Sequence, residues 1–443
     1  MDQPAFDHLT RAVAALRTRR ATATALATGL AALPLLGGSA LLPQDTAAKR
    51  KRHQQGAHAE KKKKKKKATY CLNGATTQVT LTKKSKKRLK KQGATPGACA
   101  PTGCATACPS SQRCCGAACV TGAWANQTLF GLGGFGSDQL NKPRGIALSA
   151  DTLTAAIADT MNVRVSIWTR PSASSTAWAP FTTIGSPGSG PGGLAFPTGV
   201  AISPDAHTIW IADATNNRIA VWSDTSGIWM PLTTFGGLAS GSASNRFNLP
   251  FDVAITADGL SAAIADFGNN RVSIWTRPAN DPVTWTNQQV FGGAGSQPDK
   301  VQSPGGVAIS ADGRTVLVAD TNNHRISVWT RPSSSTAFAA QTTFGSGSGS
   351  APAQFASPSR VALASDMLTA YVADTGNDRV AIWSRPTASS SDWAPVTTIG
   401  SAGSAPEQLN DLRGVAISPS GQTLWIADVE NSRISVWAMA CPA

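Results

Sequence analysis

Most of the chain after residue 123 alternates short apolar runs with turn residues. In the first part of this region the runs cover Gly145–Ser149, Thr154–Asp159, Arg164–Thr169 and Trp178–Ile184. They are rich in Val, Ile, Thr and Trp, and Gly, Pro, Ser or Asp residues separate them. No helical period of 3.6 residues lies between the runs. The pattern therefore predicts four short antiparallel β-strands.

This four-strand pattern recurs six times, at spacings of 53 or 54 residues. Each unit has an Ala-Asp pair, an Asn three residues later, an Arg two residues beyond it and a Trp four further on. The aspartates are Asp159, Asp213, Asp266, Asp320, Asp374 and Asp428. The arginines are Arg164, Arg218, Arg271, Arg325, Arg379 and Arg433. Repeats of four short antiparallel strands are typical of propeller blades, so we predict an all-β, six-bladed β-propeller.

The sixth unit has no fourth strand of its own, because the chain ends six residues after Trp437. The other fourth strands begin with Trp or Phe, and a Gly follows seven residues later. Residues 124–131 have the same form, from Trp124 to Gly131. We expect residues 124–130 to complete blade six and close the ring, which removes open sheet edges.

The core of each unit resembles the NHL repeat, which reads P-x-G-[VI]-A-[VI] and then [VI]-A-D-x-x-N-x-R-[VI]-x-[VI]-[FW]. In the first unit the matching residues are Pro143–Leu148, Ile157–Asp159, Asn162 and Arg164–Trp168. The resemblance recurs six times over residues 124–437 and implies a six-bladed propeller. NHL propellers include bacterial sensor domains, protein- and RNA-binding modules and peptidyl-hydroxyglycine lyases, and lactonase propellers share the architecture. The resemblance therefore implies the fold and leaves the function open.

Positive charge and cysteine are concentrated ahead of the repeats. Residues 1–120 contain 23 of the 40 Lys and Arg residues and 4 of the 25 Asp and Glu residues, so the remainder is net acidic. Seven of the eight cysteines lie between Cys71 and Cys119, and the last is Cys441. This asymmetry is typical of a basic arm on an ordinary domain, and clustered cysteines indicate disulfides in an oxidising compartment.

Four sections follow from these shifts: an export leader (1–48), a basic low-complexity segment (49–98), a Cys-rich disulfide segment (99–122) and the propeller (123–443). Arg19-Arg20 before a weakly apolar run is typical of a twin-arginine-like leader, with cleavage after Ala48. An uncleaved membrane anchor is the alternative. We expect an exported bacterial protein, extracellular or at the cell envelope.

The lysine run Lys61–Lys67 predicts disorder in the basic segment, apart from a small β-element around Gln78–Thr82. We expect a disulfide Cys71–Cys99 to close this element. A second disulfide, Cys119–Cys441, would join the third strand of blade six to its borrowed fourth strand. Eight cysteines allow 105 pairings, so both are hypotheses.

The repeated Asp and Arg residues are predicted to be structural, because repeat positions usually serve contacts between neighbours. Function is sought where the repetition breaks. Asp252 and Arg360 replace the motif glycine, and Arg144 and Arg413 precede it in adjoining blades. We expect these four residues at the mouth of the channel, where the guanidinium groups would bind a carboxylate or another anionic group of a ligand. The alternative is that Asp252 and Arg360 pair with each other or with solvent.

Five residues in the adjacent turns vary between units and are expected to shape the rim of this mouth. They are Met161, Phe267, His324, Asp378 and Glu430. No catalytic residue, cofactor or metal site is predicted. A hydroxyglycine lyase needs several channel histidines for zinc, whereas the propeller has only His207 and His324. A lactonase-like calcium site needs carboxylates from several blades, and Asp252 is the single candidate.

The expected role is a binding scaffold for a protein, glycan or small anionic ligand on one propeller face. A metal-dependent hydrolase, lactonase or lyase that uses the channel is the alternative. The lysine-rich segment would attract anionic cell-surface polymers, unless it is only a solubilising tail. Specific nucleic acid binding is not expected, because the propeller is net acidic and has only two lysines, Lys142 and Lys300. We expect a monomer.

Overall fold

The computed structural model describes residues 123–237, 239–345 and 347–440, together with five short strands earlier in the chain. The early strands are Lys67–Leu72, Ala75–Thr80, Thr95–Pro96, Arg113–Cys115 and Ala118–Val120. The first three fall in one unit, which ends at Thr102, and all later strands fall in a second unit that begins at Gly103.

The first unit contains a three-stranded antiparallel sheet with Lys67–Leu72 in the centre. Lys67 pairs with Thr80, so the last lysine of the run that we predicted to be disordered belongs to a strand. The neighbouring strand is Ala75–Thr80 instead of Gln78–Thr82. β-Branched and aromatic residues after the lysines favour this extended pairing. The leader and the rest of the lysine run lie outside the described residues.

The second unit contains six four-stranded antiparallel sheets, which confirms the predicted six-bladed β-propeller. The inner strands are Pro143–Leu148, Pro197–Ile202, Pro250–Ile255, Pro304–Ile309, Arg360–Leu363 and Leu412–Ile417. The second strands are Thr154–Asp159, Thr208–Asp213, Ser261–Asp266, Thr315–Asp320, Thr369–Asp374 and Thr423–Asp428. The third strands are Arg164–Thr169, Arg218–Thr225, Arg271–Thr276, Arg325–Thr330, Arg379–Ser384 and Arg433–Ala440. The outer strands of blades one to five are Ala179–Ile184, Ile228–Phe235, Thr286–Gly292, Ala339–Phe344 and Ala394–Ile399.

Short 3₁₀ turns join the second and third strands in the first five blades. They are Thr160–Asn162, Ala214–Asn216, Phe267–Asn269, Thr321–Asn323 and Thr375–Asn377. Two further strands of two residues each, Ser186–Pro187 and Gly193–Leu194, pair in parallel in the connection between blades one and two.

The strand Ala123–Phe130 closes the ring by pairing antiparallel with the third strand of blade six, as predicted. Ala123 lies opposite Ala440, and Phe130 lies opposite Ile434. Each blade therefore has four strands, and the first and last described residues of the propeller meet in one sheet.

The core is divided into six apolar clusters, one between each pair of neighbouring blades. Between blades four and five, Phe344 stacks on Trp393 with ring centroids 4.9 Å apart and contacts Trp383 at 5.0 Å. Phe235, Trp285 and Trp275 form the same arrangement between blades two and three. Aromatic pairs in these geometries stabilise beyond the area that they bury. The repeated Trp therefore packs between blades.

Within the described part of the chain, no helix is long and apolar enough to cross a membrane.

Candidate functional site

The repeated Asp, Asn and Arg form one hydrogen-bonded network in every blade. In blade two, the Asp213 carboxylate accepts bonds from Asn216 Nδ2 at 2.7 Å and Arg218 Nε at 2.9 Å. Its other oxygen accepts the N–H of Ala195 at 2.6 Å. The Arg218 guanidinium also donates to backbone carbonyls of the loop that leads into the blade, including Gly193 O at 2.6 Å. The network therefore fixes the loop between consecutive blades.

All six aspartates of this network are fully buried, and each is paired with the arginine five residues later. Because their hydrogen-bonding capacity is used within each blade, they offer little to a ligand. The geometry gives this set a structural role.

A second repeated contact joins each third strand to the next blade, and sequence reasoning missed it. The residue before the motif Arg has a left-handed backbone in all six blades. These residues are Val163, Asn217, Asn270, His324, Asp378 and Ser432. In five blades the side chain accepts a backbone N–H of the following blade, as Asn270 Oδ1 accepts the N–H of Ser303 at 2.8 Å. The acceptors in the other four blades are Asn217, His324, Asp378 and Ser432.

His324 and Asp378, which we expected at the rim, therefore connect blades through their side chains. Burial raises the pKa of the Asp378 carboxyl, and the carboxylates of Asp411 and Asp428 act in the same direction. Glu430 forms an ion pair with Lys142 at 2.8 Å, and Phe267 stacks on Phe251 at 4.1 Å. Met161 is 44% exposed.

A third repeated feature lies on the opposite face of the propeller and was also missed. The sequence Trp-[Thr/Ser]-Arg-Pro ends the third strands of blades one, three, four and five. Its arginines are Arg170, Arg277, Arg331 and Arg385. Each Nε donates to a carbonyl of the hairpin between the first two strands, as Arg331 does to Gly313 O at 2.7 Å. Each guanidinium also covers an aromatic ring, as Arg331 covers Phe338 at 4.5 Å. The recurrence of this four-residue sequence could have predicted the feature.

The inner strands approach one another closely at the motif glycine. A Cβ at Gly145 would lie 2.5 Å from the carbonyl oxygen of Thr198, and one at Gly414 would lie 2.6 Å from that of Arg144. The glycine therefore allows neighbouring blades to meet near the axis. Asp252 and Arg360 occupy this position in blades three and five.

The Asp252 and Arg360 side chains form a buried ion pair across the channel. Arg360 also donates to the carbonyl oxygens of Thr198 in blade two and Phe251 in blade three, at 3.0 and 3.1 Å. Asp252 accepts the N–H of Val307 in blade four at 3.1 Å. One ion pair thereby connects four blades at the axis. The sequence allowed these side chains either to bind an anionic ligand or to pair with each other, and in the structure they pair with each other.

Burial raises the pKa of Asp252 to about 6, against the opposing effect of Arg360. The same burial lowers the pKa of Arg360. Both Asp252 oxygens already accept hydrogen bonds from protein groups. This carboxylate is therefore poorly placed to hold a metal ion. Among the residues that the structure describes, no group of three or more His, Cys, Asp or Glu side chains is arranged to hold one. The channel-enzyme alternative has no support from this geometry.

The two remaining candidate arginines differ in their partners. Arg413 donates to both oxygens of Asp411, at 3.1 and 2.8 Å. Arg144 lies over the ring of Phe196, 5.2 Å from its centroid, and its buried Nε has no hydrogen-bond partner. Burial and the nearby Arg413 lower the pKa of Arg144 to about 9.

Arg144, Arg360 and Arg413 line one small cavity at the axis, of about 30 Å³. Every blade contributes the residue that precedes its motif glycine. The lining residues of this type are Arg144, Thr198, Phe251, Gly305, Ser359 and Arg413. Phe267 and Thr321 complete the wall. The structure therefore brings the three candidate arginines together, with Asp252 behind Arg360.

His207 and Tyr371 lie apart from this cavity. His207 contacts Asp224 at 3.2 Å on the opposite face. The buried Tyr371 donates its hydroxyl hydrogen to Gly421 O at 3.0 Å, and burial raises its pKa. The disulfide predictions Cys71–Cys99 and Cys119–Cys441 lie outside the described residues, since Cys99 and Cys441 are not among them.

Comparison with known proteins agrees with the fold. The NHL repeat profile matches residues 194–222 and 302–329, which lie in blades two and four. The chain therefore contains NHL repeats in blades two and four, and its six sequence units form the six-bladed propeller. No curated protein matches it.

Solved structures that match this chain include a functionally unknown protein from Desulfotomaculum acetoxidans, with 14% identity and a TM-score of 0.47. That similarity covers 67% of this chain and 82% of the other. Another is the hydrazine synthase of Kuenenia stuttgartiensis, with 14% identity and a TM-score of 0.44. Here the similarity covers 68% of this chain and 97% of the other.

Proposed function

We propose that this protein is an exported binding scaffold, whose propeller presents the face around the axial cavity to a ligand at the cell envelope. The observation that carries this proposal is the cavity itself. Each blade contributes one lining residue, and these six positions carry five different residue types, whereas the repeated polar residues hold the blades together. A concave site with converging polar groups is the default place for ligand binding.

The ligand classes that fit are a protein, a glycan or a small anionic molecule. Met161 lies exposed in the turn between the second and third strands of blade one, on the cavity face. Val283 is equally exposed, at 44%, in the connection between the third and outer strands of blade three, on the opposite face. The two residues form a matched pair for locating the binding face.

The test measures binding of the purified chain to an envelope preparation and to isolated envelope glycans. Met161→Glu is expected to weaken binding at least tenfold, because it places a charge in the contact surface, whereas Val283→Glu should leave binding unchanged. Equal binding by both variants and the parent chain would remove the cavity face as the binding surface. Absence of any saturable binding would overturn the scaffold proposal.

The lysine-rich segment and leader would then place the propeller at the envelope. Seven consecutive lysines, Lys61–Lys67, attract anionic polymers through charge alone. Replacing them with glutamine should abolish the part of envelope retention that high salt releases, because screening weakens such attraction. Replacing Arg19 and Arg20 with lysine tests export by leaving the protein inside the cell.

A further inference from the structure

The axial cavity contains one cationic side chain that the protein does not neutralise. Arg360 is paired with Asp252, Arg413 with Asp411, and Lys142 with Glu430. Among the residues that the structure describes, Arg144 has neither an ion-pair partner nor a hydrogen-bond acceptor. A buried donor without an acceptor costs about 1–3 kcal/mol, and more when the group is charged. The unpaired guanidinium is therefore a specific feature of this cavity.

The surroundings of Arg144 favour a ligand with one negative charge. Its guanidinium lies over Phe196. Of its nitrogens only Nε is both fully buried and without a partner, so the terminal Nη1 and Nη2 are left for an acceptor. Arg413 and Arg360 increase the positive potential at this position. Asp411 and Glu430 oppose them, although each is already paired with a cation. One unmatched positive charge remains.

The part of the cavity wall that blade three contributes is apolar. Phe251 and Phe267 stack at 4.1 Å and are both buried. The hydroxyl groups of Thr321 and Ser359 donate to backbone carbonyls, at 2.8 and 3.2 Å. The remaining space, about 30 Å³, has room for about two water-sized groups, so it admits a small head group and at most a short alkyl part. A ligand group in this space has both a cation and aromatic rings among the residues that line it.

We propose that the axial cavity binds the carboxylate of a small aliphatic monocarboxylate, with Arg144 as the principal donor and Phe251 and Phe267 against the alkyl part. A planar guanidinium edge matches a carboxylate through two parallel hydrogen bonds. The inference rests on the proposed binding function and narrows its ligand to a carboxylate group. The same group at the carboxyl terminus of a peptide is an alternative source, which the experiment separates.

The experiment titrates the full chain with sodium propionate by calorimetry and by thermal shift, at constant ionic strength. Propionamide is the neutral isostere, sodium chloride tests a generic anion, and the peptide Gly-Ala supplies a peptide carboxylate. Propionate should bind saturably and raise the melting temperature, since a ligand that binds only the folded state stabilises it. Propionamide and chloride should leave both readings unchanged.

Arg144→Gln should weaken propionate binding at least about tenfold, as expected for loss of hydrogen bonds to a charged group. Arg144→Lys retains the charge but lacks the planar guanidinium. Its affinity for propionate should lie between those of the parent chain and of Arg144→Gln. Arg314→Gln, in an exposed hairpin on the opposite face, is the matched control and should bind like the parent chain. Without ligand, Arg144→Gln should melt no lower than the parent, because it removes an unpaired, half-buried cation.

Unchanged propionate binding by Arg144→Gln would overturn the inference, and so would equal binding of propionamide. A lower melting temperature of ligand-free Arg144→Gln would also contradict it, because that result assigns Arg144 a structural role. Binding of Gly-Ala in preference to propionate would identify the peptide carboxyl terminus as the source. Envelope binding that still depends on Met161 would preserve the broader scaffold proposal after such a failure.

Discussion

At the scale of single residues, five different residue types occupy one left-handed backbone position in the six blades. The residue before the motif Arg has φ values near +50° in every blade, a region that favours Asn, Asp or Gly. Asn217 and Asn270 suit it, and their side chains also reach the next blade. Val163 is β-branched and has no acceptor. Among the described residues, no side chain accepts the corresponding N–H, that of Phe196.

Val163→Asn should therefore stabilise the protein. It relieves a left-handed conformation that costs a non-glycine residue roughly 1–2 kcal/mol, and it supplies an acceptor for Phe196. We expect the free energy of unfolding in urea to rise by about 1–2 kcal/mol. Val163→Ala is the control and should show no gain, because alanine retains the strain and lacks the acceptor. A loss of stability in the asparagine variant would contradict this account.

Asp252 gives a prediction about pH. Its pKa of about 6 in the folded protein exceeds the ordinary value of 3.8, so the folded state retains this proton more strongly. The resulting stabilisation is present below about pH 4 and is lost as pH rises through 6. Relative to Asp252→Asn, the parent chain should lose roughly 2 kcal/mol of unfolding free energy between pH 4 and pH 7. A pH-independent difference between the two in urea titrations would refute this expectation.

At the scale of elements, the connection between blades is the unit that the repeat motif stabilises. In blade four, Arg325 donates to Asp320 and to three carbonyls of the preceding loop, those of Ser296, Gln297 and Lys300. The role of this arginine was predictable, because a residue repeated six times serves every blade equally. The contact of Asn270 and its equivalents was less visible, since five different residue types occupy the position.

Arg325→Met should destabilise the protein by about 3–5 kcal/mol, because it leaves the fully buried Asp320 without its cation. Hydrogen exchange should also accelerate in residues 296–300, whose carbonyls lose their donor. Arg314→Met, in an exposed hairpin of the same blade, should change the stability by less than about 0.5 kcal/mol. Similar effects of both substitutions on urea unfolding would show that the buried network contributes little.

At the scale of the whole molecule, ring closure followed from the sequence, whereas the state of the central site did not. A missing fourth strand in blade six and a matching segment at Trp124 determine the closing pair. The sequence also placed three arginines near the axis. Which of them is free depends on distances across the channel, because Arg360 reaches Asp252 two blades away and Arg413 contacts Asp411. No repeat pattern encodes those distances.

Removing the closing strand should unfold or aggregate the propeller. A chain that begins at Leu132 lacks Ala123–Phe130 and exposes the edge of Arg433–Ala440, including the buried Ile434 and Val436. A chain that begins at Thr121 retains the strand and should remain monomeric with a cooperative melt. Size-exclusion chromatography and circular dichroism compare the two. A stable monomer from the shorter chain would show that five complete blades suffice.

The closing pair also determines how the propeller responds to a pulling force. Ala123 and Ala440 lie opposite each other at the same end of two antiparallel strands. Tension applied between these two residues loads the hydrogen bonds one after another, like opening a zipper, instead of shearing all of them together. Blade six would peel open at low force while the other five blades remain intact. A covalent link between the segments that flank Ala123 and Ala440 would carry that load in place of the hydrogen bonds.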